Sequence, residues 1–131
     1  MKVPRLLLLL FFTIQAFAQI STIPQPIASY TSTTTLITIP GADLNPISSL
    51  SSGSQTLTFA ITGNGAQVRS VPNSWGTWNS PPATESSTPK LVHVDGTEAL
   101  ITFSSAVSTF GVEVEPVNFN AVNITMTFYS G

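Results

Sequence analysis

Two-residue alternation is the clearest pattern in this chain. In "QTLTFAITG", Leu57, Phe59 and Ile61 alternate with Thr56, Thr58, Ala60 and Thr62, so one face is apolar and the other mostly hydroxylated. That period fits a half-buried strand. "AVNITMTFY" repeats it, with Val122, Ile124, Met126 and Phe128 on one face and Asn123, Thr125, Thr127 and Tyr129 on the other. "STTTLITI", rich in β-branched residues and closed by Pro40-Gly41, predicts a strand over 32–39. "AQVRSV" reads as the returning arm of a hairpin turned by Gly63-Asn64-Gly65. "KLVHV" and "EALITF" flank a turn at Asp95-Gly96, and "VSTFGVEVE" runs to a break at Pro116. About seven short strands divided by Gly, Pro and Asn turns, with no helical period beyond the N-terminus, predict an all-β fold. The expected architecture is an antiparallel β-sandwich of jelly-roll or immunoglobulin-like topology.

Two stretches break the alternation. "GADLNPISSLSSGS" is turn chemistry throughout. "PNSWGTWNSPPATESSTPK" holds four prolines and both tryptophans with no period of either kind, and reads as the one substantial loop.

The N-terminus adds a processing step. In "MKVPRLLLLLFFTIQAFAQ", Lys2 and Arg5 form a basic start, residues 6–14 are mostly apolar, and Ala16-Phe17-Ala18 is the small-x-small pattern of a signal-peptide end. The reading is a signal peptide over 1–18, an extended leader over 19–31 and a β-sandwich domain over 32–131. The apolar run falls short of the roughly 20 residues a spanning helix needs, and no second run follows, so no membrane span is expected after cleavage.

Charge and cysteine content narrow the partners. With Lys2 and Arg5 removed, the four basic residues become two, Arg69 and Lys90, against six acidic ones, and the formal net charge falls from −2 to −4. Phosphate backbones favour the opposite sign, so nucleic acid is a poor partner. There are no cysteines. An exported domain of this size then rests on packing and sheet hydrogen bonds alone, and thiol nucleophiles, redox motifs and thiolate metal sites are excluded. No motif calls for a cofactor.

The stretch "LITFSSAVSTFGVEVEPVNFNAVNITMTFYSG" resembles a recurrent block of bacterial exported surface proteins, including the extracellular portions of exosortase-sorted ones. There, a strand ending in Phe-Ser precedes a small residue, Val, a Phe-Gly pair and another strand, then an alternating strand closing on an aromatic, a polar residue and Gly. The resemblance covers residues 99–131, with support from "WGTWNSPP". It implies a β-sandwich of the cell surface and carries no catalytic residues. The sorting tail of that family, with its Pro-Glu-Pro motif, apolar span and basic end, is absent from this sequence. On physical grounds Phe103, Val107 and Phe110 are placed to fill a core, and Gly111 lets a backbone or ring approach where a Cβ would collide.

Four constellations could carry chemistry. Glu113 and Glu115 lie two apart on a predicted strand, with Cα atoms about 6.5–7 Å apart, a spacing compatible with a glycosidase acid and base or, weakly, with a metal site given further oxygens. Alternation favours a simpler arrangement in which Val112 and Val114 face the core and both glutamates face solvent. His93 and Asp95 share a face of "VHVDG", yet no Gly-x-Ser-x-Gly elbow presents a nucleophile to them, and a solvent-facing histidine before a turn is the default. Trp75 and Trp78, in "NSWGTWNSPP", are the ligand-binding candidates: exposed, they form a stacking platform for sugar rings; tucked under the loop, they cap the sandwich. Asn123-Ile124-Thr125 matches the N-glycosylation sequon on a predicted solvent face.

These readings together predict a secreted or cell-surface, non-enzymatic protein with a structural or adhesive role. The alternative is a carbohydrate-binding module using Trp75 and Trp78, and a glycoside hydrolase is the least favoured. Partners would be an extracellular glycan or a surface protein, with self-association through an open edge strand. The final strand runs into Ser130-Gly131, a turn pair, which predicts further strands beyond it.

Overall fold

The computed structural model describes residues 28–78, 86–117 and 122–129. The predicted signal peptide and most of the predicted leader lie outside the described residues. The leader's end, Ala28–Thr31, is a single helical turn (α1) rather than extended chain.

The remaining regular structure is one antiparallel sheet, and the fold is all-β in character. Strands β1 (Ser49–Ser52), β2 (Gln55–Ser70) and β3 (Lys90–Phe103) are ordered β1-β2-β3. The β1–β2 hairpin turns through two residues, Gly53-Ser54, between the paired Ser52 and Gln55. Gly53 takes φ +58°, the positive value a two-residue hairpin loop demands of its first position.

The predicted hairpin at Gly63-Asn64-Gly65 and the predicted turn at Asp95-Gly96 are corrected. β2 continues through Gly63-Asn64-Gly65 and β3 through Asp95-Gly96, so that four short predicted strands become two long ones lying against each other. The presumed turns face one another as a double irregularity, with Gly63 opposite Gly96 and Gly65 opposite Asp95. A Cβ on Gly63 would stand 2.5 Å from the Asp95 carbonyl oxygen, and one on Gly96 2.5 Å from that of Thr62. Only glycine lets the backbones come so close. Each strand takes one extra residue here, which reverses the parity of its faces. Burial follows: Leu57, Phe59 and Ile61 are the less exposed positions before the bulge, Ala66 and Val68 after it.

β2 is the central strand along its whole length. On the side away from β3 its second half is edged by the loop before β1, through Leu44 N–H to Val68 O (2.8 Å), Val68 N–H to Asn45 O (2.9 Å) and Ile47 N–H to Ala66 O (3.0 Å). β1, inside the segment that reads as turn chemistry, edges its first half. Conversely, the strand predicted over 32–39 forms no ladder, and neither do residues 106–117 or 122–129 among the described residues.

The two halves of the sheet differ in cover. The proximal half, residues 65–70 of β2 with 90–95 of β3 and the start of the following loop, holds most of the core, Ala66, Val68, Val71 and Leu91, with Val68 1% exposed; the distal half is β1 with residues 55–62 of β2 and 98–103 of β3. The distal half has only Leu50 buried. Phe103, expected in the core, is half-buried, whereas Val107 (39%) and Phe110 (44%) are exposed. A run of tilted rings, Phe103–Phe110–Phe128, joins the end of β3 to the two later segments at centroid distances of 5.4 and 5.5 Å. Gly111 admits a ring as anticipated: the Tyr30 hydroxyl of α1 sits where a Cβ would be.

Candidate functional site

The loop after β2 is built to fold back over the sheet. Ser74 N–H and Trp75 N–H both donate to Ser70 O (2.9 and 3.1 Å), while Ser70 N–H donates to the Ser74 hydroxyl (3.0 Å). Val71 N–H donates to Pro89 O at 3.1 Å, drawing the far end of the loop to its start. Arg69 reaches Ser74 O at 3.4 Å and the Gln67 side-chain oxygen at the same distance. The reversal lays Trp75 against β3, with its ring 5.3 Å from that of His93 and tilted by 49°. Gln67 is the ladder partner of His93, so both side chains leave the same face of the sheet.

Two carboxylates meet this loop from a segment far along the chain. Trp75 Nε1 donates to Glu115 Oε1 at 3.3 Å, and Trp78 Nε1 donates to Glu113 Oε2 at 3.2 Å. The earlier indole binds the later carboxylate, so the loop and residues 113–115 are laced in opposite chain directions. Trp75, Trp78, Glu113 and Glu115 are all half-buried.

This geometry corrects the predicted faces of "VEVE". Val112 and Val114 are 54% and 45% exposed, and the glutamates turn inward to the indoles. The inversion follows from the donors: an indole N–H leaving water needs an acceptor, and a carboxylate supplies a charge-assisted one. His93 is likewise half-buried against Trp75 rather than solvent-facing.

The other predicted constellations are not assembled. Asp95 Oδ2 accepts from Asn64 Nδ2 at 3.1 Å at the bulge, not from His93, whose Nδ1 is buried without a hydrogen-bond partner. No three His, Asp or Glu side chains gather as a metal site among the described residues. Asn123 and Thr125 are exposed, and so is Ile124 between them. No helix among the described residues is long and apolar enough to cross a membrane.

Chemically, the cluster offers two half-buried indoles, a pair of carboxylates and the Gln67 amide. Sequence reasoning found the tryptophans and glutamates as separate candidates. It missed that they are partners, and it missed Gln67 and Arg69, since only the β2–β3 register brings these to the same place. Comparison with known proteins finds no match, whether to a family model, a curated protein or a solved structure.

Proposed function

We propose that this chain is an exported or cell-surface, non-enzymatic protein whose sheet forms one layer of a β-sandwich and whose role is structural or adhesive. One observation carries the reading: among the described residues, the distal half of the sheet and the segments after it present apolar side chains with no layer over them. Leu100, Ile101, Val107, Phe110, Val112 and Val114 are each 39–54% exposed, and the alternating residues Val122, Ile124, Met126 and Phe128 are each 43–50% exposed. An apolar surface of that extent marks an association site. The features of residues 1–18 and the resemblance of residues 99–131 to exported bacterial surface proteins support the location. The non-enzymatic reading is supported by Glu113 and Glu115, the carboxylates with acid–base spacing, each accepting from an indole.

The tests are direct. Fractionation of producing cells, with N-terminal sequencing, is expected to find the protein outside the cytoplasm beginning at Gln19; cytoplasmic protein retaining Met1 refutes export. Beads coated with the protein are expected to bind the surface of producing cells and to be displaced by free protein. Beads that do not bind refute the adhesive role.

Carbohydrate recognition is the second reading, favoured by two partly accessible indoles beside carboxylates, a group able to accept from sugar hydroxyls. It predicts a saturable change in tryptophan fluorescence on titration with oligosaccharides, abolished by Trp78→Ala. A flat titration across neutral, acidic and amino sugars removes it.

A further inference from the structure

The uncovered surface has a defined composition and a defined edge. Parity through the bulge places Leu57, Phe59 and Ile61 of β2 on one face, with their ladder partners Ala99, Ile101 and Phe103 of β3 beside them. Phe110 meets Phe103 and Phe128 meets Phe110, so the row continues into the later segments. There, Val112 and Val114 are exposed on either side of Glu113, which turns to the tryptophan loop, and Ile124 and Met126 are exposed at alternate positions before Phe128. The only charged residues between Ala99 and Tyr129 are Glu113 and Glu115, and both are turned to the indoles on the other side. The face therefore carries no outward charge.

We propose that a second copy of this chain packs on this face, formed by the end of the β2–β3 sheet and the segments after β3, and that the apolar surface is closed between two copies. The inference rests on the reading of the distal face as an association surface and names its occupant. Lack of charge argues for this occupant. A charged partner would find nothing to pair with, whereas a two-fold contact sets the face against itself, with no like-charge repulsion to oppose it. The upper end of the available area reaches what a dimer needs. Ile101, Phe110, Val112, Val114, Ile124, Met126 and Phe128 are each about half exposed, which leaves roughly 300–550 Å² of apolar side-chain surface for a partner to cover. A standard interface covers about 800 Å² on each partner, of which about 65% is apolar in homodimers, so roughly 500 Å² is needed.

The natural absence of cysteine makes the test clean. Single-cysteine variants Val112→Cys and Met126→Cys on the face, and Thr58→Cys on the opposite face of β2, are treated with a short bis-maleimide while sedimentation equilibrium measures the mass of the wild-type protein. The expected result is a dimer in the micromolar range and cross-linked pairs from the first two variants but not from Thr58→Cys. Met126→Lys places a charge in the contact at a side chain already 49% exposed; it is expected to raise the dimer dissociation constant roughly 100-fold or more with the circular dichroism spectrum unchanged. Cross-linking that is as strong at Thr58→Cys, or a dimer indifferent to Met126→Lys, overturns the proposal. So does a monomer: one whose coated beads still bind cells overturns self-pairing and leaves the adhesive reading standing, and one whose beads do not bind overturns both.

Discussion

Trp75 and Glu115, 40 residues apart in sequence, are joined by an indole N–H···carboxylate hydrogen bond of 3.3 Å. With the 3.2 Å bond from Trp78 to Glu113 it fixes the long loop to the segment after β3. Both distances lie at or just beyond the long end of the usual range, so each bond is assigned about 1 kcal/mol rather than the larger values of short charge-assisted bonds. A double-mutant cycle of Trp75→Phe and Glu115→Ala, followed by urea denaturation, is expected to give a coupling energy of about 0.5–1.5 kcal/mol. Additive losses within about 0.3 kcal/mol would show the pair to be neighbours only.

The facing glycines of the bulge give a sharper contrast. Gly63→Ala and Gly96→Ala each drive a Cβ to within 2.5 Å of a backbone oxygen, and Gly63 also has φ +150°. Each is expected to cost about 2–4 kcal/mol through overpacking and backbone strain. Gly76→Ala, with nothing within 4 Å of the new Cβ, is the control and is expected to stay within about 0.5 kcal/mol of wild type. Equal effects at Gly63 and Gly76 would contradict the close approach of β2 and β3.

A similar argument ties α1 to the segment after β3. A Cβ on Gly111 would meet the Tyr30 hydroxyl, the tip of a side chain that is able to move or be shortened. Gly111→Ala is expected to lose about 1–2 kcal/mol. Tyr30→Phe removes the colliding oxygen, so the double variant should recover part of the loss. Thermal melts in which Tyr30→Phe gives no rescue would place the cost elsewhere.

These glycines also show why the sequence was legible only in part. Alternation locates most of β2 and β3, and Gly111 is a point of close approach in sequence and structure alike. Gly63-Asn64-Gly65 and Asp95-Gly96 have the chemistry of turns, but a bulge asks for the same freedom, and only strand pairing decides between them. β1 was hidden because Leu50, buried to 7% exposure, is the lone apolar residue in a serine-rich stretch. In the candidate site the residue types were visible and their partners were not. Alternation assumes that apolar side chains turn inward; at Val112 to Glu115 the indole donors reversed it.

The strand pattern over residues 122–129 leads to the last prediction. It has the cleanest alternation in the chain, yet among the described residues it forms no ladder, and every one of its side chains is exposed. Regular patterning supplies an apolar face but not the neighbouring N–H and C=O groups that make a strand resist opening. Amide protection should therefore follow the hydrogen bonds and not the pattern. β2 has partners on both sides, including Phe59 N–H to Ser48 O at 2.8 Å and Val68 N–H to Asn45 O at 2.9 Å. In hydrogen exchange followed residue by residue, Phe59 and Val68 are expected among the slowest amides and residues 122–129 among the fastest. Face-to-face pairing of two copies covers side chains without adding a ladder, so this order should hold at low and high protein concentration alike. Protection of 122–129 equal to that of Phe59 would mean that these residues are paired as a strand in solution.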